Sequence, residues 1–178
     1  IHQINFLNQD KSCAKLYPPI WEVLEKNGIS IGIFGSLQTF PPYINRYVDF
    51  FVPDTFAPEA TSFPNELELF QRFNLSMART HKAFAGKIRI RDMVNLFNLI
   101  KKGLISKTTV AQVFLHLIKE VCDSRYKKRR SNIQSIFAFD AYKKFLSKCK
   151  PKYSTFFTNH LAANMHRYWL HTFPEDFD

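Results

Sequence analysis

The chain has 178 residues, 46% of them apolar and 22% charged, a composition that can bury a core and excludes disorder as the default. Lys and Arg outnumber Asp and Glu by 25 to 15, and the net charge of +10 points to an anionic partner (nucleic acid, anionic lipid or a phosphorylated substrate) without choosing among them. Aromatic residues reach 16%, with 19 Phe, so the core is expected to be built largely from Phe.

The chain opens on Ile1 with no charged-then-apolar leader, and no run approaches the roughly 18 apolar residues of a membrane helix. It is read as an internal, soluble piece of a larger protein, with a cytoplasmic location slightly favoured. Cys13, Cys122 and Cys149 fit neither a disulfide framework nor a zinc ribbon, and are expected as free buried thiols. Asn74-Leu75-Ser76 forms a glycosylation sequon.

In chain order, Pro18-Pro19 opens a helix over Ile20 to Asn27, with Ile20, Val23 and Leu24 on one face and Gly28 as terminator. Ile29 to Leu37 is β-branched and apolar, and reads as a buried strand. Residues 38–64 carry Pro41, Pro42, Pro53, Pro58 and Pro64, a density that predicts a long loop without regular helix or central strand. Helices follow over Pro64 to Phe73 and then on a face marked by Ile90, Met93, Val94 and Phe97. Between 109 and 122, the residues Val110, Val113, Phe114, Leu117, Ile118 and Val121 form an amphipathic stripe, and Thr109 with Gln112 can make a capping box. A helix over 133–149 turns Ile133, Ile136, Phe137, Ala141, Phe145 and Cys149 inward, and Pro151 ends it. Tyr153 to Thr158 reads as a short strand, and Leu161 to Leu170 as a last helix.

This order predicts an α/β fold with a helical insertion or cap at 64–149 within one larger domain. Two strands cannot make a sheet alone, so their neighbours are expected in the rest of the parent chain. With only 5 Gly, a phosphate-cradling loop or a dinucleotide fingerprint is excluded.

The segment 155–169, TFFTNHLAANMHRYW, is richest in chemistry. A strand end would deliver Asn159 and His160, and ligands of open α/β sheets sit at such ends. His160 and His166 would lie about 240° apart on one helix, so they converge only if His160 sits in the turn before it. As isolated features, one core and one surface histidine are the blander alternative. Asp54 beside Pro53 reads as an Asx-type turn or as a pocket residue. The run from Arg125 to Arg130 reads as a solvated helix end or as a basic surface for nucleic acid or lipid.

Two of these segments resemble the type I phosphodiesterase/nucleotide pyrophosphatase branch of the alkaline phosphatase superfamily. One is the apolar strand leading to His166-Arg167-Tyr168-Trp169. The other is Pro19-Ile20-Trp21, a helix, Gly28 and then the strand ISIGIFGS. Together they span about a third of the chain. In that family an Asp stands four residues before the His; here that position is Ala162, so the resemblance would put Asn159 or His160 in its place. It implies an alkaline-phosphatase-like mixed sheet and a hydrolase of phosphate or sulfate esters that uses two divalent ions, zinc first among them. His160, His166 and Asn159 would be metal-site residues, and Arg167 and Asp54 would contact substrate. No nucleophile is assigned, and the piece alone is expected to be inactive. The partners implied are a small ester and the rest of the parent chain. A nucleic-acid module and a scaffold with a decayed metal site are the alternatives, with nucleic acid disfavoured.

Overall fold

The computed structural model describes residues 17–79, 90–129 and 131–177. Among these are six helices and a sheet of three parallel strands: α1 (Ile20–Lys26), β1 (Ile31–Phe34), β2 (Val48–Val52), α2 (Glu68–Arg79), α3 (Ile90–Lys101), α4 (Lys107–Cys122), α5 (Ser131–Cys149), β3 (Tyr153–Phe156) and α6 (His160–Thr172). The strand order is β2-β1-β3. The α/β class expected from sequence is therefore the class observed.

The third strand corrects the sequence reading. β2 lies inside the proline-rich stretch, where an unbroken long loop was expected, and it is an edge strand rather than the central one the prolines exclude. The run Val48–Val52 contains no Pro, and β2 stands beside β1 at the end of the strand order, so the flanking prolines never interrupt a ladder. One neighbour that the sheet needed comes from this chain itself.

All four residues of β1 are buried, as a parallel strand covered on both faces requires. Its side chains alternate. Ile31 and Ile33 join Val48 and Phe51 in one cluster, against Trp21, Leu24 and Tyr43. Phe34 joins Phe50 and Val52 in the larger cluster, against Phe70, Phe73, Leu99, Phe137 and Phe145. Val48 and Phe51 share a face despite odd spacing because the register slips by one residue between Ile31↔Val48 and Gly32↔Phe50, which makes Asp49 the extra residue of a bulge. The helical section between β2 and β3 thus packs on the sheet through a Phe-rich core, as the composition suggested.

Several helix faces differ from expectation. On α1 the packed residues are Trp21 and Leu24, while Ile20 and Val23 are exposed. On α3 they are Leu96, Leu99 and Ile100, while Val94 and Phe97 face out; Ile90 and Met93 lie outside the residues whose side chains are described. On α4, Val110 and Val113 pack inward, but Phe114, Ile118 and Val121 are exposed. α5 buries Ile133, Phe137, Ala141 and Phe145 as expected and exposes Ile136. Cys122 is exposed rather than buried and Cys149 is half-buried, both free; Cys13 lies outside the described residues. Asn74 of the sequon is buried within α2.

The start of α4 is also re-assigned. Ser106, not Thr109, is the cap: its Oγ accepts from the Thr109 backbone N–H at 3.1 Å, and its own N–H donates to Asp140 at 2.8 Å. Ser106→Ala should lower stability by about 1 kcal/mol, the ordinary worth of such a cap. Thr109→Val, which keeps the backbone donor, should leave the capping bond in place. Urea unfolding of both variants checks the assignment.

Candidate functional site

Because the strands are parallel, their carboxyl ends, Phe34, Val52 and Phe156, lie at one edge of the sheet. The three following loops are tied together there. The Gly35 N–H donates to the Val52 carbonyl at 2.8 Å, and the Phe157 N–H donates to the Phe34 carbonyl at 2.9 Å. Ser36 Oγ and Thr155 Oγ1 are hydrogen-bonded at 2.9 Å. Gly35 sits at φ 75°, and a Cβ there would lie 2.7 Å from the Phe157 carbonyl oxygen. Both the left-handed backbone and the close approach demand glycine.

Asp54, 6% exposed, follows β2 and organises this edge. One carboxylate oxygen accepts from the Phe56 N–H at 2.7 Å, the Asx-type turn expected from the sequence, and the other accepts from the Gln38 N–H. Beneath it runs a buried chain of amides. Gln134 donates to Asn74, Asn74 donates to Gln71, and Gln71 donates to the carbonyls of Pro53 and Asp54, each of these last two at 3.0 Å. Sequence reading missed Gln71, Asn74 and Gln134. Their trace in the sequence is a polar residue on the otherwise apolar face of α2 or α5, which periodicity treats as noise.

These loops enclose a pocket of about 60 Å³ whose lining includes Asp54, Asn74, Gln134, Thr158, Asn159 and His160. The structure therefore brings together three residues singled out from sequence, Asp54, Asn159 and His160, at the carboxyl edge of the sheet. The volume is well below the roughly 300 Å³ of a small-molecule site, so these residues form one wall or one end of a site. His166 and Arg167 are exposed on α6 and do not line this pocket. α6 begins at His160 itself, so the turn that would let the two histidines converge is absent, and six helical residues separate them by about 240°.

His160 is half-buried and its Nδ1 is hydrogen-bonded to Thr158 Oγ1 at 2.8 Å. Thr158, also missed in the sequence reading, fixes the ring and leaves Nε2 as the nitrogen available to a ligand. Burial lowers the imidazole pKa below its ordinary 6.5. Above 6.5 the ring is neutral in folded and unfolded chains alike. As pH falls through 6.5, the unfolded chain takes the proton first, so the folded state loses stability; the loss is complete below the lowered folded pKa. Urea midpoints measured from pH 8 to pH 5 should fall more steeply for the parent sequence than for His160→Gln. Parallel curves would remove His160 as the source.

Comparison of the chain with protein-family models, with curated proteins and with solved structures finds no match.

Among the described residues, no group of three or more His, Cys, Asp or Glu is placed to hold a metal ion. Asp54 has both oxygens engaged by backbone N–H groups. His160 could offer one nitrogen and Asn159 one carbonyl oxygen, so the donors gathered here do not by themselves fit a divalent ion, which takes four or more ligands.

Proposed function

We propose that this chain is part of a hydrolase of phosphate or sulfate esters and supplies one wall of its substrate pocket rather than its nucleophile. The observation that carries the reading is the convergence of Asp54, Asn159 and His160 in one pocket at the carboxyl edge of a parallel sheet, where α/β enzymes bind ligands. The net charge of +10 favours an anionic substrate. The resemblance of the α1–β1 and β3–α6 segments to the type I phosphodiesterase branch supplies the ester class and the metal dependence. In this reading a divalent ion, zinc first, takes most of its ligands from other parts of the parent. The chain's own share is to hold a neutral imidazole in place through Thr158, to present the Asn159 amide, and to fix the rim through Asp54. Arg167, exposed on α6, would meet substrate only where the parent folds over that helix.

The test uses this chain joined to its flanking sequence. Hydrolysis of p-nitrophenyl phosphate, its phosphodiester and its sulfate is followed with and without zinc, beside zinc titration of His160→Ala and His166→Ala. Metal-dependent release of nitrophenol from at least one ester, with weakened zinc binding in His160→Ala, is the expected result. No turnover of any ester, or zinc binding indifferent to His160, overturns the proposal. Zinc binding should be unchanged in His166→Ala, since that residue lies outside the pocket.

A further inference from the structure

A second concavity, of about 750 Å³, lies between the turn Ser124–Arg129, the start of α5 and α6, and shares no lining residue with the pocket at the sheet edge. Its wall carries Arg125, Tyr126, Arg129, Asn132, Asn164 and Tyr168. The two sides come from distant parts of the sequence and are joined by an amide pair, in which Asn164 Nδ2 donates to Asn132 Oδ1 at 2.9 Å. That bond uses one donor of Asn164 and one acceptor site of Asn132. The Asn132 NH₂ and the Asn164 carbonyl remain, an adjacent donor and acceptor of the kind that reads the edge of a nucleobase.

The charges are also ordered. Asp123 grips Arg125 through both carboxylate oxygens, at 3.1 and 2.9 Å from Nε, so Arg125 is largely neutralised. Arg129 forms no salt bridge among the described residues, although the Asp123 carboxylate on the same wall lies near enough to feel its charge; its guanidinium lies 5.2 Å from the centre of the Tyr126 ring. Such a contact holds the side chain in place, and two guanidinium groups, Arg125 and Arg129, against the one Asp123 carboxylate leave this wall a net positive charge for an anion. Tyr168 is half-buried, and among the described residues its ring has no aromatic or cationic neighbour, so a face of it can take a flat group.

We propose that this cleft binds a nucleotide: the base stacks on Tyr168, its edge meets the Asn132–Asn164 pair, and its phosphate meets Arg129. A flat hydrogen-bonding ring with an attached anion matches each group in turn, whereas a bare phosphate uses only Arg129. The nucleotide can arrive free or as one unit of a single strand, and both present the same chemistry.

The experiment uses this chain with a short fluorescent single strand followed by anisotropy, and with unlabelled AMP, UMP and inorganic phosphate as competitors. Strand binding is expected, with Tyr168→Ala weakening it by about five- to a hundred-fold, the range of a lost base–aromatic stack. Tyr168→Phe should retain binding, and Asn164→Leu and Arg129→Glu should weaken it. Lys26→Glu, the same charge change on α1, and His160→Ala should not. Competition by AMP or UMP but not by phosphate supports a free nucleotide as ligand. Strand binding without such competition, but still lost in Tyr168→Ala, supports the strand. The proposal is overturned if nothing binds, if phosphate competes as well as AMP, if Tyr168→Phe fails as badly as Tyr168→Ala, if Lys26→Glu matches Arg129→Glu, or if His160→Ala rather than Tyr168→Ala abolishes binding.

Discussion

Phe34→Ala should cost about 3–5 kcal/mol of stability, the range for emptying a large aromatic site. Phe34 is 2% exposed in the central strand, and its ring lies 5.3 Å from Phe70 and 5.9 Å from both Tyr142 and Phe156. These partners come from α2, α5 and β3, so a single side chain joins the sheet to the helices on that face. A core of rings cannot collapse around the hole without moving three elements at once, which places the cost toward the upper end. With total stability of a domain at about 5–15 kcal/mol, the variant should be a large fraction of the way to unfolding. Phe97→Ala is the contrast: Phe97 is 65% exposed, and its loss should stay within about 0.5 kcal/mol. Guanidinium unfolding should show a large fall in midpoint for the first and almost none for the second. Equal effects would mean that the assignment of inner and outer faces is wrong.

Asp54→Ala should cost about 3 kcal/mol, because it strips the acceptor from two backbone N–H groups at a buried position. Gln38 stands at φ 57°, a conformation uncommon for a residue with a side chain, and Asp54 is what its N–H holds. Asp54→Asn keeps one oxygen but turns an NH₂ toward one of the two donors, so it should lose roughly half as much. Hydrogen exchange resolves the two effects: the Gln38 and Phe56 amides should both exchange faster in Asp54→Ala, and one of them in Asp54→Asn. A stability change below about 0.5 kcal/mol in the alanine variant would show that Asp54 does not organise the edge.

What the sequence disclosed follows from where its signals were unambiguous. β1 and β3 were visible because β-branched and aromatic residues run together there between turn residues. α5 was visible because Ile133, Phe137, Ala141 and Phe145 lie on one stripe and are buried. α1, α3 and α4 carry apolar residues on more than one face, so periodicity gave the helix but not its inward side. Val94 and Phe97 compete with Leu96, Leu99 and Ile100, and only packing against the sheet decides between them. β2 was hidden because prolines bracket it, although the five residues of the strand contain none. At the site, a strand end pointed to Asn159 and His160, and Asp-after-Pro pointed to Asp54. Gln71, Asn74 and Gln134 were invisible because they act as a chain of amides whose Gln134–Asn74 link spans sixty residues, whereas Thr158 stands two residues from His160 and shows its role only through the ring geometry. The six-residue spacing of His160 and His166 was legible, but where the helix begins was not; the helix takes in His160, and the pocket holds only the first of the pair.

The strand order also sets a timetable. β1 is the middle strand, and its two neighbours lie at very different distances along the chain: Ile31 pairs with Val48, but also with Tyr153, 122 residues on (153 − 31). A ribosome adds roughly 5–20 residues per second, so one side of β1 stays without its partner for on the order of ten seconds after β2 has emerged. During that interval the newborn protein presents an apolar ladder, Ile31 to Phe34, that any other extended segment can occupy. The cell-biological weak point of this fold is therefore its birth rather than its finished state. Chaperone dependence and inclusion-body formation should follow the rate at which residues 35–152 are synthesised.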